Sequence, residues 1–349
     1  MKKFLALLLC SAMVLCAACT GKTDSTSDSK VSVSSISQSA SASTASASDS
    51  TSSADTKAEE KDPYADILDN SAEFEVSSDA DSGTNIRFSD TLTDGAKVTL
   101  GSFVDTLRIA SRDEAAKVSS VETTFIDCGS DGNRELLVKA TIAASIETWV
   151  INFVIKDFDG SYKLIYSGDS WTRSSTEINN AGVIFNSGSN GAASLGYSVS
   201  VLTADGRNEL AYACSVDFMT DFVYEADENV YLLLYRVNTE DTNLYNGENM
   251  MTTYALEYLD TEGVEGTQNI MSGNIIYEGE DVYAADSSVR QYIESNFTSF
   301  PGKGIVTVTE ASNAVTEKEN KLGLTDENLN ADDPEDWESL DLDSLLGKG

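Results

Sequence analysis

Thr148-Trp-Val-Ile-Asn-Phe-Val-Ile-Lys156 is separated from Tyr162-Lys-Leu-Ile-Tyr166 by a short connection that contains Asp159-Gly160. Both runs are rich in apolar, β-branched and aromatic residues, which is typical of strands. An Asp-Gly pair between two such runs favours a tight hairpin turn, because both central positions of that turn need positive φ. This part of the chain therefore predicts an antiparallel β-hairpin.

Similar patterns recur further along the chain. Tyr197–Leu202 and Leu210–Val216 flank a second pair, Asp205-Gly206. Three more apolar runs predict strands at Val230–Val237, Thr252–Leu259 and Asn269–Tyr277. Only 3 prolines interrupt the chain, which suits antiparallel ladders. The predicted fold class is mainly β, built from antiparallel hairpins, with α+β as the alternative.

Few helices are predicted. The clearest spans Asp286–Phe297, where Val289, Tyr292 and Ile293 share one face at helical spacing and Asp286 can cap the start. Two others are expected at Tyr64–Leu68 and at Ser102–Lys117. The helices are therefore expected to be additions to a β framework.

The composition is strongly acidic, with 23 Lys plus Arg against 58 Asp plus Glu and a formal net charge of −35. Nucleic acid and anionic lipid headgroups are unfavourable partners, because phosphate binding needs clustered cations. The chain has no histidine, which excludes Ser-His-Asp and Cys-His catalysis and His-ligated zinc. A non-catalytic module that binds a glycan, a protein or a cation is favoured. The alternative is a carboxylate-dependent hydrolase of the glycosidase type.

The N-terminus resembles a bacterial lipoprotein signal. Two lysines precede the apolar run Phe4–Leu15, and Cys16-Ala-Ala-Cys19 follows it. The run is shorter than the roughly 20 residues that a membrane-spanning helix needs, and its small-residue end is typical of a cleaved signal. The resemblance implies lipid attachment to Cys19 and a location on the outer face of the cell membrane, although Cys16 stands where leucine is usual. Ordinary signal cleavage, giving a freely secreted protein, is the alternative.

Composition divides the chain into four regions: a signal peptide at 1–18, a Ser/Thr-rich disordered tether at 19–62, a β-rich extracellular domain at 63–310 and an acidic, disordered tail at 311–349. More than half of residues 21–56 are Ser or Thr, so this stretch cannot bury enough apolar surface to fold. The tail is dominated by Asp and Glu. A short amphipathic turn that docks on a groove is the alternative for its apolar residues, Trp337, Leu340, Leu342, Leu345 and Leu346.

One local motif suggests chemistry: Phe125-Ile-Asp-Cys-Gly-Ser-Asp-Gly-Asn-Arg-Glu-Leu-Leu-Val138. Carboxylates at alternate positions of a tight loop can converge on one cation. The candidate Ca²⁺ ligands are the side chains of Asp127, Asp131 and Glu135 and the carbonyl of Asn133. Gly129 stands where such loops usually have another carboxylate. The alternative is a purely structural turn held by Asp side chains.

This loop resembles the D-x-D-x-D-G-x-x-E-L loops of clostridial and other Gram-positive surface lipoproteins. Two further segments are similar to the same family, Tyr64-Ala-Asp-Ile-Leu-Asp69 and the stretch that begins at Trp171-Thr-Arg-Ser-Ser-Thr176. The resemblance implies an exported, tethered β-rich domain and implies no activity. A weaker copy, Asp205-Gly-Arg-Asn-Glu-Leu210, is explained either by a repeated strand-turn-strand unit or by chance.

The remaining cysteines and aromatic residues leave alternatives open. Cys128 and Cys214 lie in apolar runs and are predicted to be small buried side chains, with a disulfide between them as the alternative. Trp149, Trp171 and the 14 tyrosines could form a sugar-stacking face, or they could pack in the core. The pattern does not distinguish these two roles.

Overall fold

The computed structural model describes residues 62–191, 194–219, 230–240, 250–260, 274–276 and 308–347. Cys19, most of the Ser/Thr-rich segment and the helix predicted at Asp286–Phe297 lie outside the described residues. Within the described ranges, no helix combines the length and the apolar character needed to cross a bilayer.

Strands dominate the described residues. In chain order they are β1 (Phe74–Glu75), β2 (Lys97–Val98), β3 (Lys117–Ile126), β4 (Glu135–Ala143), β5 (Thr148–Asp157), β6 (Tyr162–Ser170), β7 (Ser174–Ile178), β8 (Val183–Gly191), β9 (Ser194–Leu202), β10 (Asn208–Met219), β11 (Val230–Asn238), β12 (Met250–Asp260), β13 (Asn274–Ile276) and β14 (Glu338–Ser339). The helices are α1 (Ala65–Leu68), α2 (Leu100–Ala110), α3 (Val308–Lys321), α4 (Asp326–Leu329) and α5 (Leu342–Leu345), with 3₁₀ turns at Ser78–Ala80 and Phe88–Asp90.

These strands form two seven-stranded sheets. The first has the order β14-β3-β4-β5-β6-β1-β2, and the second has the order β13-β12-β11-β10-β9-β8-β7. Pairing is antiparallel except between β1 and β6. The predicted mainly β class, made from sequential hairpins, is confirmed.

The β5–β6 hairpin forms where the Asp-Gly pair predicts it. Asp159 and Gly160 have φ of 54° and 86°, and the Asp157 carboxylate accepts the Gly160 N–H at 2.6 Å. Along β5, Phe153 faces the core that lies under α2, whereas Val154 faces the second sheet. The first sheet is therefore covered on both faces.

Helix α2 covers one face of the first sheet. Its start is capped by Thr99, whose hydroxyl accepts the Ser102 N–H at 3.4 Å. The Phe103 ring is 5.0 Å from the Phe153 ring in an edge-on arrangement, and each such buried side chain contributes about 1.5–3 kcal/mol. The helix predicted to extend to Lys117 ends at Ala110 instead. Lys117 is the first residue of β3.

Residues 308–347 are folded, which corrects the prediction of a disordered tail at 311–349 for the part of it that the structure describes. Helix α3 contacts β10, and β14 pairs with β3 through Glu338 and Ser339. We call residues 334–347 the C-terminal strap. Its buried Leu345 joins the core under α2. The structure therefore shows the alternative to a disordered tail, a short amphipathic turn that docks in a groove. Average composition missed this, because the few apolar side chains that fold the strap are outnumbered by acidic ones.

Candidate functional site

The loop between β3 and β4, taken with the first residue of β4 as residues 127–135, is held together by its own aspartates. The Asp127 carboxylate accepts the Gly132 N–H at 3.2 and 3.1 Å. The Asp131 carboxylate accepts the Asn133 N–H at 2.8 Å, and this bond lowers the pKa of Asp131 below its usual value. These are the side-chain-to-backbone bonds expected of a structural turn.

Glu135 is fully buried, whereas Asp131 is exposed. One Glu135 oxygen accepts the Cys128 N–H at 2.8 Å. The other pairs with the ammonium of Lys156, which is also buried. The contact joins adjoining strands, since β4 carries Glu135 and β5 carries Lys156. Both oxygens of this carboxylate are therefore engaged inside the protein.

The three predicted carboxylate ligands of calcium are bonded to different partners. Asp127 and Asp131 bind N–H groups of the loop, and Glu135 binds Lys156. Among the described residues, no group of three or more His, Cys, Asp or Glu side chains is placed to hold a metal ion. Because Ca²⁺ takes 6 to 8 oxygen ligands, this donor set does not fit the expected site. Calcium binding stays a prediction from the sequence.

A melting experiment distinguishes calcium binding from a purely structural turn. We expect millimolar Ca²⁺ to leave the melting temperature unchanged, because the loop carboxylates already bind N–H groups and Lys156. A calcium-dependent rise that Asp131→Ala removes would show instead that the loop binds the ion. Asp159→Ala, in the β5–β6 turn, is the matched control and should keep any such rise.

The loop also packs against two turns of the second sheet. A side chain at Gly129 would place its Cβ 2.6 Å from the Ala204 nitrogen, and Gly129 has φ of 77°. There is no room for the carboxylate that calcium loops usually carry at this position. A Cβ at Gly182 would lie 2.8 Å from the Cys128 sulfur. The glycines therefore permit close contact between the sheets.

Backbone hydrogen bonds extend this contact to the C-terminal residues. The Asp127 N–H donates to the Asn180 carbonyl, and the Asn180 N–H donates to the Asp332 carbonyl, both at 3.0 Å. The Asn328 amide also donates to the Ser130 hydroxyl at 3.2 Å. The loop thus connects the first sheet, the second sheet and the segment that leads to the C-terminal strap. We call residues 127–135 the joint loop.

The two described cysteines are buried and are not joined by a disulfide, as predicted. Two causes raise the pKa of Cys128 far above its ordinary value: burial, which is the larger, and the negative charge of Glu135. Its thiol therefore remains protonated and unreactive at neutral pH.

The weaker copy at Asp205 differs from the joint loop where the chemistry would matter. Its Glu209 pairs with the solvent-exposed Arg207, which also binds Asp205 at 2.8 Å. The joint loop instead has the buried Glu135, which pairs with the buried Lys156 on β5. The two hairpins share a turn pattern, but only the first has an internal ion pair.

Sequence reasoning also missed the buried carboxylates of Asp169 and Asp81. Asp169 on β6 accepts the Asn85 N–H at 3.1 Å and its side-chain amide at 2.9 Å. Asp81 accepts the Gly83 and Ser89 N–H groups at 3.2 and 2.9 Å. They hold residues 81–89 against the first sheet. Asp169 lies beyond the apolar run Tyr162–Tyr166, between Gly168 and Ser170, so the local sequence carries no signal of its burial.

The described aromatic residues serve largely as packing. Trp149 packs against the core under α2, and the Arg173 guanidinium lies 5.9 Å from the Trp171 ring centre. Three tyrosines are buried: Tyr64, Tyr166 and Tyr212. For Trp149 and these three tyrosines the core-packing alternative describes the structure.

Comparison of the chain with protein-family models, curated proteins and solved structures gave no match. The likeness to Gram-positive surface lipoproteins therefore stays a prediction from the motifs.

Proposed function

We propose that this protein is a lipid-anchored surface protein, in which a Ser/Thr-rich tether displays a non-catalytic β-rich binding module outside the cell. The observation that carries the proposal is a lipobox-like Cys19 followed by a polar stretch that leads directly into the folded body. Two bacterial-type acyl chains on Cys19 would hold the protein firmly, whereas one chain anchors only marginally.

The junction between tether and body is firm. Tyr64 is buried, and its hydroxyl accepts the Asp157 N–H at 3.0 Å. The Tyr162 hydroxyl donates to the Pro63 carbonyl at 2.6 Å. A flexible polar chain as long as residues 19–62 would have a root-mean-square reach of roughly 35 Å. Such a tether, joined to the body at this junction, would be long enough to lift the body off the membrane.

The buried carboxylates support a binding role rather than catalysis. A glycosidase needs two carboxylates that face the scissile bond across a gap of about 5 to 9 Å. Glu135, Asp169 and Asp81 instead bind backbone N–H groups, and Glu135 also binds a lysine. They are used to hold loops. The net charge of −35 favours a cation, a basic protein surface or a neutral glycan as the ligand.

Radiolabelled palmitate tests the anchor in bacterial cells. Cys19→Ala should abolish incorporation of the label, because the acylated thiol is lost. The protein should then appear either in the medium or as a precursor that keeps its signal peptide. Cys16→Ala is the matched control, since it changes the neighbouring cysteine and should keep the label. Label that persists in Cys19→Ala would rule out this anchor.

Purified protein tests the absence of catalysis. Incubation with a panel of glycans should release no reducing sugar, while binding to the same panel is followed by calorimetry. Hydrolysis that is lost on substitution of a carboxylate would replace the proposal with the hydrolase alternative.

A further inference from the structure

The C-terminal strap lies along the edge of β3 as an added strand. The Leu340 N–H donates to the Val121 carbonyl at 2.9 Å, and the Thr123 hydroxyl donates to the Glu338 carbonyl at 3.4 Å. The register pairs Glu338 with Thr123. Addition of an extended segment to a sheet edge is a general mode of peptide recognition, in which main-chain bonds supply affinity and side-chain pockets supply specificity.

The far end of the strap enters a shaped notch. Leu345 is buried in the core under α2. Its carbonyl accepts the Asn70 side-chain amide at 3.3 Å, and the oxygen of that amide accepts the Gly101 N–H at 2.8 Å. A Cβ at Gly101 would lie only 2.1 Å from the Leu345 carbonyl oxygen. The absence of a side chain at Gly101 is therefore what lets the strap backbone approach α2.

The near end of the strap is fixed by an aromatic contact. The Lys139 ammonium lies 4.0 Å from the centre of the Trp337 ring and also 2.9 Å from the Glu122 carboxylate. The Trp337 indole N–H donates to the Pro334 carbonyl at 2.8 Å. A cation over the face of a tryptophan is a favourable electrostatic contact. The strap is thus recognised at both ends and along its middle.

The contacts of this groove come from residues that lie far from the strap in the chain. The Thr123–Glu338 and Asn70–Leu345 contacts join residues 215 and 275 positions apart. In chemical terms the strap is a peptide bound to a site built by other parts of the chain. The strap of a second copy carries the same groups and can therefore make the same contacts.

We propose that the groove formed by the β3 edge, Asn70, Gly101 and Lys139 is an acceptor site for the C-terminal strap of a second copy, so that two copies can exchange straps. Reciprocal exchange of an identical element makes a dimer at little cost, because each contact of the monomer is re-formed in the dimer. It also keeps the β3 edge covered, which prevents non-specific edge pairing.

A peptide-binding experiment with the full chain tests the acceptor site. The probe is a fluorescent peptide of residues 334–349, and the readout is anisotropy. The Leu345→Asp chain, whose own strap is weakened, should bind the probe at least about tenfold more tightly than the unaltered chain, because the internal competitor is lost. A probe peptide carrying Leu345→Asp is the matched control and should not bind.

The proposal fails if the weakened chain binds neither peptide, or binds both equally. Circular dichroism of the Leu345→Asp chain shows whether its β structure is intact; if it is not, Trp337→Ala provides a milder release of the strap. As a second readout, unaltered protein refolded at high concentration should yield a dimer by light scattering. The Leu345→Asp chain should stay monomeric, and equal dimer fractions in the two chains would contradict strap exchange.

Discussion

Replacing Lys156 with methionine should lower the free energy of unfolding by about 3–5 kcal/mol, because removing one partner of a buried ion pair leaves the other charge unpaired in the interior. Glu135 is the partner at risk, and its side chain is 1% exposed. Methionine retains the length and apolar stem of lysine, so the change removes the charge rather than the packing. Urea denaturation followed by circular dichroism measures the effect.

The matched control is Lys163→Met on the next strand. Lys163 pairs with Glu75 at 3.7 Å, but both side chains are well exposed, and surface pairs of this kind contribute about 0–1 kcal/mol. Adding Glu135→Gln to Lys156→Met should recover part of the stability, because the neutral amide can still accept the Cys128 N–H without a buried charge. If the double variant is no more stable than Lys156→Met alone, the ion pair is not the cause.

Gly101→Ala should destabilise the protein by about 1–3 kcal/mol, the usual cost of overpacking a filled interior. The sign of this change in stability is the informative result. Glycine to alanine inside an exposed helix ordinarily stabilises by roughly 0.5–1 kcal/mol. Here the added Cβ would meet the Leu345 carbonyl oxygen at 2.1 Å, so the strap must move. Urea denaturation of the full chain measures the change.

A shortened chain separates the two contributions. When the chain stops before the strap, the carbonyl that Gly101 avoids is gone, and Gly101→Ala should become neutral or stabilising. Loss of stability of equal size in both backgrounds would mean that the strap is not what requires glycine at this position. Comparing the four chains, with and without Gly101→Ala and with and without the strap, also measures the coupling free energy between α2 and the strap.

Much of the local structure was predictable, because it depends on neighbouring residues. The Asp159-Gly160 turn needs positive φ, which that pair adopts readily. The β-branched run Thr148–Lys156 suits a strand. The opening helix is also where the pattern placed it, at Ala65–Leu68. For these elements a window of about ten residues contains the interactions that matter.

The joint loop shows where prediction from the motif stops. Its spacing correctly indicated a tight turn with Asp side chains bonded to N–H groups. It could not indicate that Glu135 would bind Lys156, because the alternation of a strand says which residues share a face and not which face is buried. Gly129 looked like a lost ligand, and the structure shows a contact with Ala204 in its place.

The amino-acid sequence was sufficient for the β class, the hairpin turns and the acidic charge, since each is a property of composition or of adjacent residues. The address suggested by Cys19 stays a prediction from the sequence. The folding of the C-terminal strap, the burial of Glu135 and the need for glycine at position 101 depend on the assembled molecule. The physical reason is sequence distance. The strap is ordered by hydrogen bonds with residues 215 and 275 positions away and by burial of Leu345 in the core under α2. Together these contacts offset an entropy cost that the acidic segment could not offset alone.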